Sequence, residues 1–202
     1  MDRGAIANFF LISIFCLPGL RCVETVDAPP YMDNTIPAGV SDFLSDAQIT
    51  ELESIGLKIY KGGNPPQIEG RYSLNELNVY YDDQDINYVI ADYFYTFSNQ
   101  TSEGEIAIGY EAPLASDSAS NLAAYLSGVA NCFSIYVDIN GTDEGCNYRQ
   151  TSIISGCITD AGIKNWQNGL IWGQKRGATC DELIDEGHKR IINENDGLAE
   201  AL

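Results

Sequence analysis

The stretch INYVIADYFYTFS, residues 86–98, decides the fold class. Tyr88, Val89, Ile90, Tyr93, Phe94, Tyr95 and Phe97 place large apolar groups on both faces of an extended chain, a composition that suits a strand and not a surface helix. One face must meet a core, and the other needs cover as well. Upstream, Leu57 to Tyr60 alternates with period two, Gly62-Gly63-Asn64-Pro65-Pro66 breaks the chain, and residues 68–81 resume the pattern with Tyr72, Leu74, Leu77, Val79 and Tyr81. Downstream, β-rich runs cover 105–110, 123–129, 132–139, 148–159, 163–174 and 187–192, separated by turn signals such as Asn140-Gly141 and Asp160-Ala161-Gly162. About eight short strands without intervening long helices predict an all-β protein, an antiparallel meander closed into a barrel or folded as a sandwich. Residues 181–186 and 196–202 read as short helical turns.

One helix is expected before the strands. Ser45 and Gln48 have capping-box spacing, Leu44 and Ile49 have hydrophobic-staple spacing, and Ile49, Leu52 and Ile55 line one face. Gly56 then stands where a left-handed stop belongs, so the helix runs for roughly ten residues. Its predicted place is over one mouth or edge of the sheet.

Length and charge narrow the function. A chain of 202 residues that is 45% hydrophobic and 20% charged is long enough for one domain with a single core. Eleven basic against 29 acidic residues leave a net charge of −18, a field that repels phosphate backbones and anionic membranes. Nucleic acid is therefore not an expected partner. Arg3, the apolar run Ala5 to Leu17 and the pair Pro18-Gly19 have the layout of a secretory signal peptide over residues 1–22. Cys22 stands where a bacterial lipoprotein carries its acylated cysteine, although Arg21 before it departs from a lipobox. Simple secretion and a lipid anchor at Cys22 both fit this leader, and such an anchor would be the chain's only membrane contact. Residues 23–44, with Pro29, Pro30 and Pro37, read as an extended tether, and 45–202 as the barrel domain.

An even number of cysteines behind an export signal favours disulfides among Cys132, Cys146, Cys157 and Cys180, which lack the close pairs of a zinc cage. Cys146 and Cys157 bracket one predicted strand and lie too far apart to pair. Cys132 begins a strand at the end where Cys157 finishes its own, and Cys180 follows a strand returning toward Cys146. This favours Cys132 with Cys157 and Cys146 with Cys180. A register that sets Ile139 opposite Tyr148 would, however, set Cys132 opposite Ser155 and miss Cys157 by about two residues.

Little in the chain announces chemistry. His188 is the only histidine, so no multi-histidine metal site exists within one chain and no other residue could serve a His-based triad; between Gly187 and Lys189 at a polar strand start it reads as an exposed or edge histidine. No nucleophile elbow, phosphate loop or zinc-protease helix is present. Asp83, Asp85 and Asn87 begin like a calcium loop, but Tyr88 and Phe94 occupy positions that need Gly and Glu. A weaker surface calcium site of Asp82, Asp83 and Asp85 is the alternative to a solvated acidic turn. The acids are too numerous to single out a glycosidase pair, so no catalytic residue and no cofactor is assigned. Tyr72, Tyr88, Tyr93, Phe94, Tyr95 and Phe97 are the candidate ligand-binding residues, a platform for a small apolar or amphipathic ligand or a glycan, with core packing as the bland alternative.

Two segments, GLKIYKGGNPPQIEGRY at 56–72 and RIINENDGLAE at 190–200, resemble those of small bacterial secreted proteins and lipoproteins with lipocalin-like barrels. Gly70-Arg71-Tyr72 falls where a lipocalin carries G-x-W, on the first strand after a short N-terminal helix. The resemblance implies a lipocalin-like barrel and no catalytic residues. The function it leads one to expect is a noncatalytic extracytoplasmic barrel holding a ligand inside. The alternative is a cell-surface interaction or carbohydrate-binding module whose barrel is filled by its own side chains.

Overall fold

The computed structural model describes residues 34–84, 89–90, 92–114, 117–143, 145–177, 180 and 185–202. Eleven strands follow one helix, α1 (Asp46–Ser54). They are β1 (Gly70–Leu74), β2 (Leu77–Asp82), β3 (Val89–Ile90), β4 (Tyr93–Ser98), β5 (Glu105–Ala112) and β6 (Asp117–Val129). The rest are β7 (Cys132–Asp143), β8 (Cys146–Thr159), β9 (Gly162–Arg176), β10 (Lys189–Asn193) and β11 (Leu198–Ala201). The ring β1-β4-β5-β6-β7-β8-β9-β11 is antiparallel throughout and closes where β11 pairs with both β9 and β1. This is a closed eight-stranded barrel, so the edge-strand problem disappears. Along the same wall β10 pairs with β9, and β2 with β10 and β3, so β1–β2, β3–β4 and β10–β11 each continue one another past a break. The barrel's lower end carries the start of β1 and the turns after β4, β6 and β8. Its upper end carries the connections after β2, β5, β7 and β9.

Alternation sorts the side chains. On β7, Phe133, Ile135, Val137 and Ile139 point into the barrel and Tyr136 points out; on β8, Tyr148 and Ile154 point in and Ile153 out. A second core therefore lies on the outer wall, where Val40, Leu44, Ile49, Leu52 and Leu57 cover Tyr136, Ile153, Ile171 and Ile191 of four adjacent strands. Helix α1 covers this wall and not a mouth, because β7 to β10 carry apolar residues outward as well as inward. The helix is capped as its residues require: Gln48 donates its backbone N–H to Ser45 Oγ, and Ser45 donates its own to Gln48 Oε1 at 3.0 Å. At its C-terminus Gly56 adopts φ +114° while its N–H and that of Leu57 bond the carbonyls of Glu53 and Leu52.

Two expectations need correction. The stretch 23–44 is not a tether to its end, since Ala38–Asp42 forms a 3-10 turn and Val40 and Leu44 are buried on the outer wall. Residues 198–201 are a strand and not a helical turn, because Tyr72 and Ile163 stand opposite Ala201 and Ala199 and the ladder overrides a local helical preference. Most of 181–186 lies outside the described residues.

Both disulfides are as the strand layout favours, Cys132–Cys157 and Cys146–Cys180. Ile139 faces Gln150 and not Tyr148, which removes the two-residue offset and sets Cys132 directly opposite Cys157. Two disulfides are consistent with an extracytoplasmic, oxidising compartment. Below the barrel the chain from Gly62 to Glu69 crosses the lower end. Gly62 accepts the Gly128 N–H, Asn64 donates its N–H to the Gly128 carbonyl, Gln100 holds Pro66 and Ile68, and the Ile68 side chain enters the inner core. That end is closed.

Candidate functional site

The lower interior is packed solid. Leu74, Phe97, Ile108, Leu126, Phe133, Ile135 and Trp166 are fully buried there. The upper interior is different, because one carboxylate sits among tyrosines. Asp117, the first residue of β6, accepts hydrogen bonds from the hydroxyls of Tyr93 on β4 at 2.8 Å and Tyr148 on β8 at 3.2 Å. The hydroxyls of Tyr110 and Tyr148 meet at 2.8 Å across the lumen. The ring centroids of Tyr93, Tyr95 and Tyr110 stand 5.7–6.2 Å apart, and Trp172 packs on Tyr148 at 4.9 Å. These residues converge because Tyr95 faces Tyr110 in the β4–β5 register, while β8 and β9 bring Gln150 opposite Trp172, Ser152 opposite Leu170 and Ile154 opposite Asn168.

The electrostatics follow from burial. Desolvation raises the Asp117 carboxyl above its ordinary value, and the hydrogen bonds from Tyr93, Tyr148 and Tyr110 only partly offset this. Burial first, and the Asp117 charge second, push Tyr93 and Tyr148 upward; for Tyr110 burial leads, followed by Tyr148 and Asp117. Tyr95 is also raised by burial, against which a hydrogen bond from Asn168 acts. The tyrosines are thus neutral donors at any ordinary pH. Three further polar atoms in this half of the barrel are buried without a hydrogen-bond partner: Ser152 Oγ, Asn168 Oδ1 and Trp172 Nε1.

The candidate ligand residues divide accordingly. Tyr93 and Tyr95 belong to the upper cluster. Tyr72 and Phe97 face inward but lie low, where Tyr72 donates its hydroxyl to the Ile68 carbonyl and packs on Phe97. Phe94 points out of the barrel, opposite in phase to Tyr93 and Tyr95, and lies under the Arg71 guanidinium. It joins an outer groove of about 500 Å³ with Arg71, Thr96, Gly109 and Glu111. Tyr88 lies outside the described residues. Asp117, Tyr110, Tyr148 and Trp172 were not legible as a site, since they lie on separate strands with no common motif.

The other polar candidates are occupied structurally. Asp82 forms an ion pair with Arg190 at 2.6 Å, and Asp83 bonds His188 Nδ1 at 2.7 Å, so two members of the suggested calcium turn are engaged elsewhere; Asp85 lies outside the described residues. Among the described residues no group of three or more acids, His or Cys is arranged to hold a metal. A cleft of about 300 Å³ gathers Glu76, Asp92, Glu194 and Asp196 at the breaks between strand segments. Asp92 accepts the Glu76 N–H, and Glu194 and Asp196 both accept the Leu198 N–H, so these acids cap the breaks. Burial and then Asp196 raise the Glu194 carboxyl, while its hydrogen bond lowers Asp196. Both acids thus serve the backbone at the break, and nothing in their geometry selects them as a glycosidase pair. Compared with known proteins, the chain matches no family model, no curated protein and no solved structure.

Proposed function

We propose that this protein is a noncatalytic extracytoplasmic barrel, lipocalin-like in architecture and exported by its N-terminal leader, that takes a small amphipathic ligand into the upper half of its interior. The observation that carries this reading is the set of unpaired Ser152 Oγ, Asn168 Oδ1 and Trp172 Nε1 beside the tyrosine cluster. Each such unpaired atom costs about 1–3 kcal/mol, and three of the four lie together on the inner face of β8 and β9 while Ser155 Oγ stands apart on the outer face, so the three make one place where a ligand's polar groups would relieve that cost. Aromatic walls with a few convergent polar groups are what a small-molecule site offers. The closed lower end leaves the upper end as the way in.

The second reading, a surface module with a filled barrel, draws on the solid lower core and on the outer groove beside Phe94 and Arg71. Intact mass of the natively exported, oxidised protein separates the two. An adduct present under native conditions and lost on denaturation is expected for the ligand-binding barrel. A bare mass from cells grown in several media would instead favour the surface module.

A further inference from the structure

Asp117 is a carboxylate without a cation. Its described partners are phenol hydroxyls, and among the described residues no ion pair joins it to Lys, Arg or His. The undescribed residues beyond 33 supply none either, because 85–88, 91, 115–116, 144, 178–179 and 181–184 contain no basic residue in the sequence. Asp117 is half-buried, and a carboxylate drawn partly out of water favours a cation beside it, since the desolvation of an unpaired charge is expensive.

A second observation points the same way. Asn168 Oδ1 and Ser152 Oγ, 95% and fully buried, are acceptors without donors on the β8–β9 wall. Asn168 reaches the cluster through Tyr95, and Trp172 through Tyr148. The surroundings of Asp117 are also π-rich, with Tyr93, Tyr110 and Tyr148 about it and Trp172 packed behind Tyr148, and aromatic rings attract cations most strongly when water is excluded. A field of −18 draws cations toward the molecule.

Resting on the ligand-binding reading above, we infer that the ligand is an organic cation. It is an amine with N–H donors and an aromatic or apolar body, its ammonium seated against Asp117 among Tyr93, Tyr110 and Tyr148. The spare N–H of Trp172 then takes a hydroxyl or carbonyl on the same molecule.

The test titrates the full-length, disulfide-bonded protein with three matched probes, phenethylammonium, phenethyl alcohol and phenylpropionate. Heats are recorded in about 1 M NaCl, where a Debye length of about 3 Å removes diffuse attraction to the acidic surface. The ammonium probe should bind about tenfold more tightly than the alcohol, with the carboxylate weakest. Asp117→Asn should bring the ammonium and the alcohol within about twofold of one another, while Asp185→Asn on the exposed rim leaves the preference intact. Asp117→Ser is the second variant, expected to remove the same preference for the ammonium probe should Asp117→Asn fail to fold. Alcohol binding equal to ammonium, or a preference that survives both lumen variants, overturns the cation inference and leaves the ligand-binding barrel standing. No heat from any probe, together with a bare native mass, overturns both.

Discussion

Asp117 ionises against its surroundings. Its folded pKa stands above the unfolded value, so the folded chain holds the proton more tightly, and the group's contribution to stability is greatest in acid. That contribution is lost as pH rises from the ordinary carboxylate range through the raised value. Asp117→Asn does not titrate, so the thermal midpoint of the native chain should fall relative to this variant as pH is taken upward through that window. Parallel profiles would mean that Asp117 is solvated like a surface acid. Arg190 and Asp82 present the opposite case, a buried pair with side chains 8% and 1% exposed. Arg190→Leu takes the cation from Asp82, which keeps the Gln84 N–H, and should cost about 3–5 kcal/mol in urea unfolding, much of it recovered by adding Asp82→Leu. Neither residue could be recognised from its neighbours. The partners of Asp117 lie 24 and 31 positions away, and Arg190 meets Asp82 across 108, so only the ladder brings them together.

Elements were legible where their signals are local. The Ser45 and Gln48 cap and the Gly56 stop act within four residues, and the helix lies where they place it. Ser45→Ala should cost about 1 kcal/mol, read from the denaturant midpoint. The cysteine pairing was legible because strand direction alone sorts four cysteines between two ends. Register was not, since the turn after β7 could begin at more than one residue. β11 was missed for a physical reason: Leu198, Ala199 and Glu200 favour a helix, and only β1 and β9 hold them extended. Its closure depends on Gly162, at φ +139° with the Ala199 carbonyl only 2.0 Å from where a Cβ would stand. Gly187 also has a positive φ, +84°, but open space around it. Gly162→Ala should therefore destabilise the chain clearly more than Gly187→Ala, for which the backbone cost is about 1 kcal/mol. Equal losses would show that β11 is not pinned at this point.

At the scale of the whole molecule the same chain is held shut chemically and pushed apart electrically. The disulfides span 25 and 34 positions, and each should contribute about 3–4 kcal/mol by the loop-entropy argument. Raising NaCl from about 10 mM to 150 mM shortens the screening length from about 30 to about 8 Å and should raise the melting temperature of a chain carrying −18. A melting temperature indifferent to salt would mean that the acids are already spaced beyond one another's reach.

The crossing strap at the lower end also gathers the two ends of the described barrel chain. Thr35 bonds Gly62 beside the Gly128 rim, and the Leu202 N–H reaches the Arg71 carbonyl at the foot of β1. Among the described residues, the chain thus enters and leaves the barrel at this lower end, on the far side from the tyrosines. A bead, tag or fusion partner joined after Leu202 is therefore carried beside the strap, at the opposite end of the barrel from Asp117.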